Sequence, residues 1–169
     1  MAELAPRERL QPSLLDRLTD DHPEQAVEAR ERRVMSVRSL REGVLRDLAW
    51  LLNTTNLTSV SERFRLPHIA SSVLNYGMPD MSGASLAGMN TNDLERAIRQ
   101  AIWDFEPRLI RSSVSVKALP TLDSITRITF EIEADMWAQP YPERLFLRTE
   151  LDLECGAVTL AETGARSAP

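Results

Sequence analysis

The chain has a single cysteine, Cys155, so it forms no internal disulfide, and no CxxC pair, zinc ribbon or iron–sulfur ligand set can be built from it. Such cysteine usage suits a reducing compartment. Histidine is scarce too: His22 and His68 have no second His or Cys at ligand spacing, so the sequence offers no metal site. No apolar run approaches the roughly 20 residues that cross a bilayer. The N-terminal stretch MAELAPRERLQPSLLDRL is charged throughout and lacks the apolar core of a signal peptide. The expectation is a soluble cytoplasmic protein with no direct membrane insertion. Positive charge is in deficit, with 20 Lys and Arg against 25 Asp and Glu, and a net charge of −5 gives no general attraction to nucleic acid. The six glycines include no spacing followed by Lys-Ser/Thr, and GxSxG is absent, so neither a nucleotide loop nor a serine nucleophile elbow is present. No cofactor is expected.

What the sequence does have is length and patterning for one domain, with 169 residues of which 43% are hydrophobic. Residues 1–33 mix charges of both signs with Pro6, Pro12 and Pro23, and their apolar content is concentrated in Leu10, Leu14, Leu15 and Leu18. That composition reads as a partly flexible arm carrying a short amphipathic helix after Ser13. From Val34 the pattern sharpens: Val37, Leu40, Val44, Leu48 and Leu51 recur at steps of three and four. An amphipathic helix of about 17 residues is predicted, starting at Ser36 and ending in Asn53-Thr54-Thr55-Asn56. Pro67 suits the first turn of a short helix, with Gly77 as its stop and Pro79 preventing continuation. A second long helix is expected from Asn92, with Glu95 completing a capping box and Leu94, Ala97, Ile98, Ala101, Ile102 and Phe105 as its apolar stripe. Pro107 ends it.

Beyond Pro107 the period falls to two. Ile110, Val114, Val116 and Ala118 form one alternating series; Ile128, Phe130, Ile132 and Ala134 a second; Leu145, Leu147, Thr149, Leu151 and Leu153 a third. The connectors are too short for crossover helices and rich in turn residues, so the strands form an antiparallel meander. The predicted fold is therefore α+β, with two layers: amphipathic helices on a mainly antiparallel sheet of three or more strands. Its expected divisions are the arm at 1–33, the domain at 34–156 and a C-terminal tail at 157–169. Trp50, Trp103 and Trp137 fall within regular elements and are expected in the core or at its rim.

Two short motifs carry more chemistry than their surroundings. In Glu106-Pro107-Arg108 the proline fixes the backbone between opposite charges at a helix end, and the arginine can grip a carboxylate with two hydrogen bonds. A local salt bridge accounts for the same residues without a partner. Asn75-Tyr76-Gly77-Met78-Pro79-Asp80 reads as a structural turn in which Tyr76 packs its ring and keeps its hydroxyl wet. Acid pairs such as Glu106 with Asp80 or Asp104 allow a glycosidase to be imagined, although 25 acids produce such pairs by chance.

Taken in order, Ser13-Leu14-Leu15-Asp16-Arg17-Leu18, VLRDLAWLLNT at 44–54, SVLNYGMPD at 72–80 and Phe105-Glu106-Pro107-Arg108-Leu109 resemble TssE, the type VI secretion baseplate component related to a wedge protein of contractile phage tails. The likeness runs from about Leu10 to Gly156. It implies a structural, non-enzymatic part that joins the wedge proteins TssF and TssG, with TssK a further partner, in a baseplate docked at the inner membrane complex. It also implies a sheath-like sheet that seeds the TssB/TssC sheath by strand exchange. The family's Glu-Pro-Arg motif falls on Glu106, Pro107 and Arg108, the expected partner-binding residues, while Asn75, Tyr76, Gly77, Pro79 and Asp80 form a structural motif. The alternatives are a lysozyme-like peptidoglycan hydrolase, a label attached to phage relatives, and a generic cytoplasmic adaptor using the arm's leucine cluster.

Overall fold

The computed structural model describes residues 13–19, 23–24, 36–61, 66–80, 90–119, 126–138 and 142–163. Its helices are α1 (Leu14–Leu18), α2 (Val37–Leu52), α3 (Pro67–Ala70) and α4 (Thr91–Phe105), followed by strands β1 (Ser115–Leu119), β2 (Arg127–Met136), β3 (Glu143–Asp152) and β4 (Val158–Glu162). The sheet runs β1-β2-β3-β4, antiparallel at every step. This is the two-layer α+β arrangement that the change of period predicts.

The alternation sets which face is covered. Ile128, Phe130, Ile132 and Ala134 of β2 lie opposite Leu151, Thr149, Leu147 and Leu145 of β3, and all are buried. Against them α2 packs Leu40, Val44, Leu48 and Leu51, and α4 packs Leu94, Ile98, Ala101 and Ile102. Burying each such Leu or Ile contributes about 1.5–3 kcal/mol, so a register slip of one residue would forfeit most of the core. The other sheet face is charged, with Arg144 reaching Glu133 at 3.8 Å and Asp135 at 3.6 Å.

The α2 ends follow expectation: the Ser36 side chain accepts from the Ser39 amide, and Asn53 closes the C-terminus. For α4 the start differs. Asn90, not Asn92, is the N-cap, accepting from the Asn92 amide at 3.0 Å. Glu95 forms no capping box because its carboxylate accepts the Ala118 amide of β1 at 2.7 Å. Gly77 is not the stop of α3 either. That helix ends at Ala70, where the Asn75 side-chain amide donates to the Ala70 carbonyl and turns the chain early.

The first expected strand is shorter than its alternation, since Arg111–Ser113 form a 3-10 turn before β1. Trp103 Nε1 donates to the Arg111 carbonyl while Arg111 donates back to the Trp103 carbonyl, and this reciprocal pair bends the chain. Residues 158–162, assigned to the tail, form β4. Gly156, at φ +71°, makes the turn that returns the chain along β3. Trp50 and Trp137 are about half exposed rather than core residues. His22 and most of the arm lie outside the described residues, but α1 is described and does form after Ser13. No helix among the described residues is long and apolar enough to cross a membrane.

Candidate functional site

Glu106, Pro107 and Arg108 sit where α4 meets the sheet. The Glu106 amide still donates to Ile102, closing the helix, while the Arg108 carbonyl accepts from the Trp137 amide at 2.8 Å just beyond β2. Leu109 bridges to Met136. The corner is therefore clamped at both ends by backbone pairing, and Pro107 stands exposed between them.

The two charges do not splay outward. Glu106 is only 4% exposed, and its carboxylate takes Arg108 Nε at 2.7 Å and Nη2 at 2.5 Å, a two-pronged grip. It also accepts the Arg108 amide at 3.1 Å. Arg108 Nη2 reaches Asp47 of α2 at 2.6 Å. Arg46 then donates to Asp47 at 2.9 Å and pairs with Asp16 of α1 at 2.8 Å. Five side chains from two helices and the corner thus form one alternating row: Asp16, Arg46, Asp47, Arg108, Glu106. Burial works against a charged Arg108, but Glu106 and Asp47 outweigh it and raise its pKa far beyond the ordinary value, so it carries its charge at every accessible pH.

This geometry changes what alanine substitution at the corner does. The sequence leads one to expect that Arg108→Ala and Glu106→Ala weaken assembly much more than folding. With Glu106 buried, removing Arg108 strands a carboxylate, and folding itself is affected. Glu106 is the residue that aims Arg108.

The turn motif joins the same site. Tyr76 stacks edge-on to Phe105, with ring centroids 5.2 Å apart, and its hydroxyl donates to the Asp47 carbonyl at 3.3 Å. Burial, together with the nearby Asp47 and Glu106 charges, raises its pKa. Asn75 is buried and fixes the turn, accepting from the Thr58 amide and donating to Ala70. At Gly77, φ is +121° and an added Cβ would fall 2.2 Å from the Thr54 carbonyl oxygen. That closeness is needed because Met78 donates to Thr54 and accepts from Asn56, strapping the motif to the exit of α2. Pro79 and Asp80 are exposed, and the Asp80 amide donates to Ser59 Oγ at 2.9 Å.

Sequence reasoning did not single out Asp16, Arg46 and Asp47 as members of the site. One signal was available: Gly43 costs an interior helix about 1 kcal/mol relative to alanine. It is buried, and a Cβ there would lie 3.6 Å from both Arg108 Nη1 and Asp16 Oδ2. The glycine marks where the corner and α1 come down on α2.

Partial burial opposes ionisation of Asp16, but hydrogen bonds from Ser13 and Arg46 prevail and hold its carboxyl below the usual 3.8. A depressed folded-state pKa stabilises the docked α1 above the unfolded value, and this is lost as pH falls through the folded one. Amide exchange and chemical shifts of α1 are accordingly expected to stay constant from pH 7 to about 4 and to show release of α1 only below that. Release beginning near pH 6 would contradict the ion pair's role.

Among the described residues no group of three or more metal-ligating side chains gathers. A void of about 10 Å³ lies between Leu52, Ile98, Phe130 and Leu151, too small for more than a water-sized guest. The described residues thus bring together a clamped corner and an internal charge row. A family model described as baseplate wedge protein gp25 matches residues 38–141, and the chain belongs to that family, whose members are structural parts of baseplates. This accords with the resemblance to TssE in the sequence. No curated protein and no solved structure matches the chain.

Proposed function

We propose that the protein is the TssE-like subunit of a type VI secretion baseplate, a non-enzymatic cytoplasmic part. It joins TssF and TssG through the Pro107/Arg108 corner, with TssK as a further contact, in a baseplate docked at the inner membrane complex. There it initiates the TssB/TssC sheath by adding a sheath strand to its own sheet. Pro107 keeps the corner rigid and limits the entropy lost on docking. Glu106 and Asp47 hold Arg108 in one orientation, so the partner meets a corner whose shape is already set.

The observation that carries the sheath role is the difference between the two sheet edges. At β1 the Ala118 amide is already taken by Glu95 of α4. At β4 the start is closed by Asn53, whose side chain donates to the Val158 carbonyl at 2.8 Å and accepts its amide at 2.9 Å, as a strand residue would. By antiparallel alternation, Leu160 and Glu162 aim their N–H and C=O the same way as Val158, away from β3. An edge with such groups free accepts an extended partner segment.

Leu160→Pro tests this, because proline there removes an outward donor and no bond to β3. With baseplate wedges present, TssB/TssC assembly is expected to lag with Leu160→Pro about as it does without the protein. Leu160→Ala, which loses the packing but keeps the donor, is expected to nucleate normally. Equal nucleation by wild type and Leu160→Pro would reject the β4 edge as the seeding strand.

A further inference from the structure

The two edges of the sheet meet the helices through chemically different groups. At β4, Asn53 presents a side-chain amide, which donates to the Val158 carbonyl and accepts the Val158 amide as a neighbouring peptide group does. At β1, Glu95 presents a carboxylate, whose Oε1 accepts the Ala118 amide at 2.7 Å. A carboxylate has acceptors and no donor. An incoming strand brings N–H and C=O groups in alternation, so at Ala118 its carbonyl would meet the glutamate oxygens instead of the amide it needs. The plug is held by the body of the fold, because Glu95 sits between buried Leu94 and Ile98 on α4, and α4 packs on β1. Sheet extension is thus blocked at β1, while at β4 Leu160 and Glu162 turn their N–H and C=O outward.

The strand that best fits the β1 edge belongs to a second copy of the chain. Strands alternate in direction along the sheet, so β4 of one copy beside β1 of another continues the alternation with both copies the same way up. The register agrees. Val116 and Ala118 turn their backbone groups away from β2, since the Ala118 amide reaches Glu95. Their side chains lie on the core side, as does that of Leu160. Pairing Leu160 with Ala118 would join outward groups on both strands and keep the apolar side chains on one face. Such a contact uses two different surfaces, so it does not close on itself and repeats into a filament. We propose that Glu95 is the stop that prevents this protein from polymerising through its own sheet and so leaves β4 to a different chain. The inference goes beyond the baseplate reading: it shares the open β4 edge with it but involves no baseplate partner.

The test is sedimentation velocity of the purified protein across a range of concentrations, for wild type, Glu95→Ala, Leu160→Pro and Glu95→Ala/Leu160→Pro, with thermal unfolding of each. Wild type and Leu160→Pro are expected to remain monomeric. Glu95→Ala is expected to show an average mass that rises with concentration past about twice that of the monomer. Adding Leu160→Pro, which removes the β4 donor, is expected to return it to monomer. A Glu95→Ala protein that stays monomeric throughout overturns the inference, as does a wild type that polymerises. Equal association with and without Leu160→Pro overturns it too, by assigning the contact to unfolding or to another surface, and association that stops at a dimer does so by showing a closed pairing. The baseplate reading survives each of these failures, because sheath nucleation on wedges is read in a separate assay.

Discussion

Arg108→Ala is expected to destabilise the folded protein by about 3–5 kcal/mol, because it leaves the buried Glu106 carboxylate without the guanidinium that neutralises it. Glu106 has a side chain only 3% exposed, and both of its oxygens are engaged by Arg108. Asp47 would lose the same partner, leaving three acids in the row, Asp16, Asp47 and Glu106, with one remaining cation, Arg46. For a chain of this length the loss corresponds to a fall in Tm of roughly 6–20 °C. Two further variants separate charge from geometry. Arg108→Lys keeps a cation but cannot fork across Glu106 while reaching Asp47, so it is expected to recover part of the loss. The double replacement Glu106→Gln/Arg108→Met removes both charges and is expected to cost less than Arg108→Ala alone. Denaturant unfolding of the four proteins measures these differences. A change under about 1 kcal/mol for Arg108→Ala would mean the pair is weakly coupled to the fold, as for an exposed ion pair.

Gly77→Ala is expected to cost about 3 kcal/mol, from two independent sources. The backbone at φ +121° is unfavourable for any residue with a Cβ, and that Cβ would meet the Thr54 carbonyl oxygen at 2.2 Å and its carbon at 2.8 Å. Relief requires Gly77 to move off Thr54, which breaks the Met78 amide bond of 2.7 Å and loosens Asn56. The damage reaches the site, because Tyr76 precedes this strap and contacts Phe105 and Asp47. Thermal unfolding gives the stability, and the near-ultraviolet signal of Tyr76 reports the local change. A loss below about 0.5 kcal/mol would show that the strap yields without cost.

The layers of the fold were legible because periodicity reports burial directly: α2, α4, β2 and β3 are each long enough for a stripe or alternation to repeat several times. Short elements carry less pattern. β4 has five residues with only Val158 and Leu160 on its inner side, and its place is set by β3 rather than by its own sequence. The start of α4 was ambiguous because Asn90 and Asn92 are equally good caps, and Glu95 was claimed by a strand 23 residues away. At the site, Glu106, Arg108 and Tyr76 stood out through proline and glycine beside them. Asp47 and Arg46 did not, since on a helix surface their charges look like any solvated face. Only the tertiary approach of Arg108 at Gly43 and of Asp16 onto Arg46 makes them members of a row.

A baseplate subunit works through its partners, and the most direct test of that role is mass. Co-expression with TssF and TssG, followed by size-exclusion chromatography and mass determination, is expected to give one stable complex containing all three chains. A folded protein, with its wild-type unfolding transition, that elutes alone while TssF and TssG form their own complex would contradict the claim.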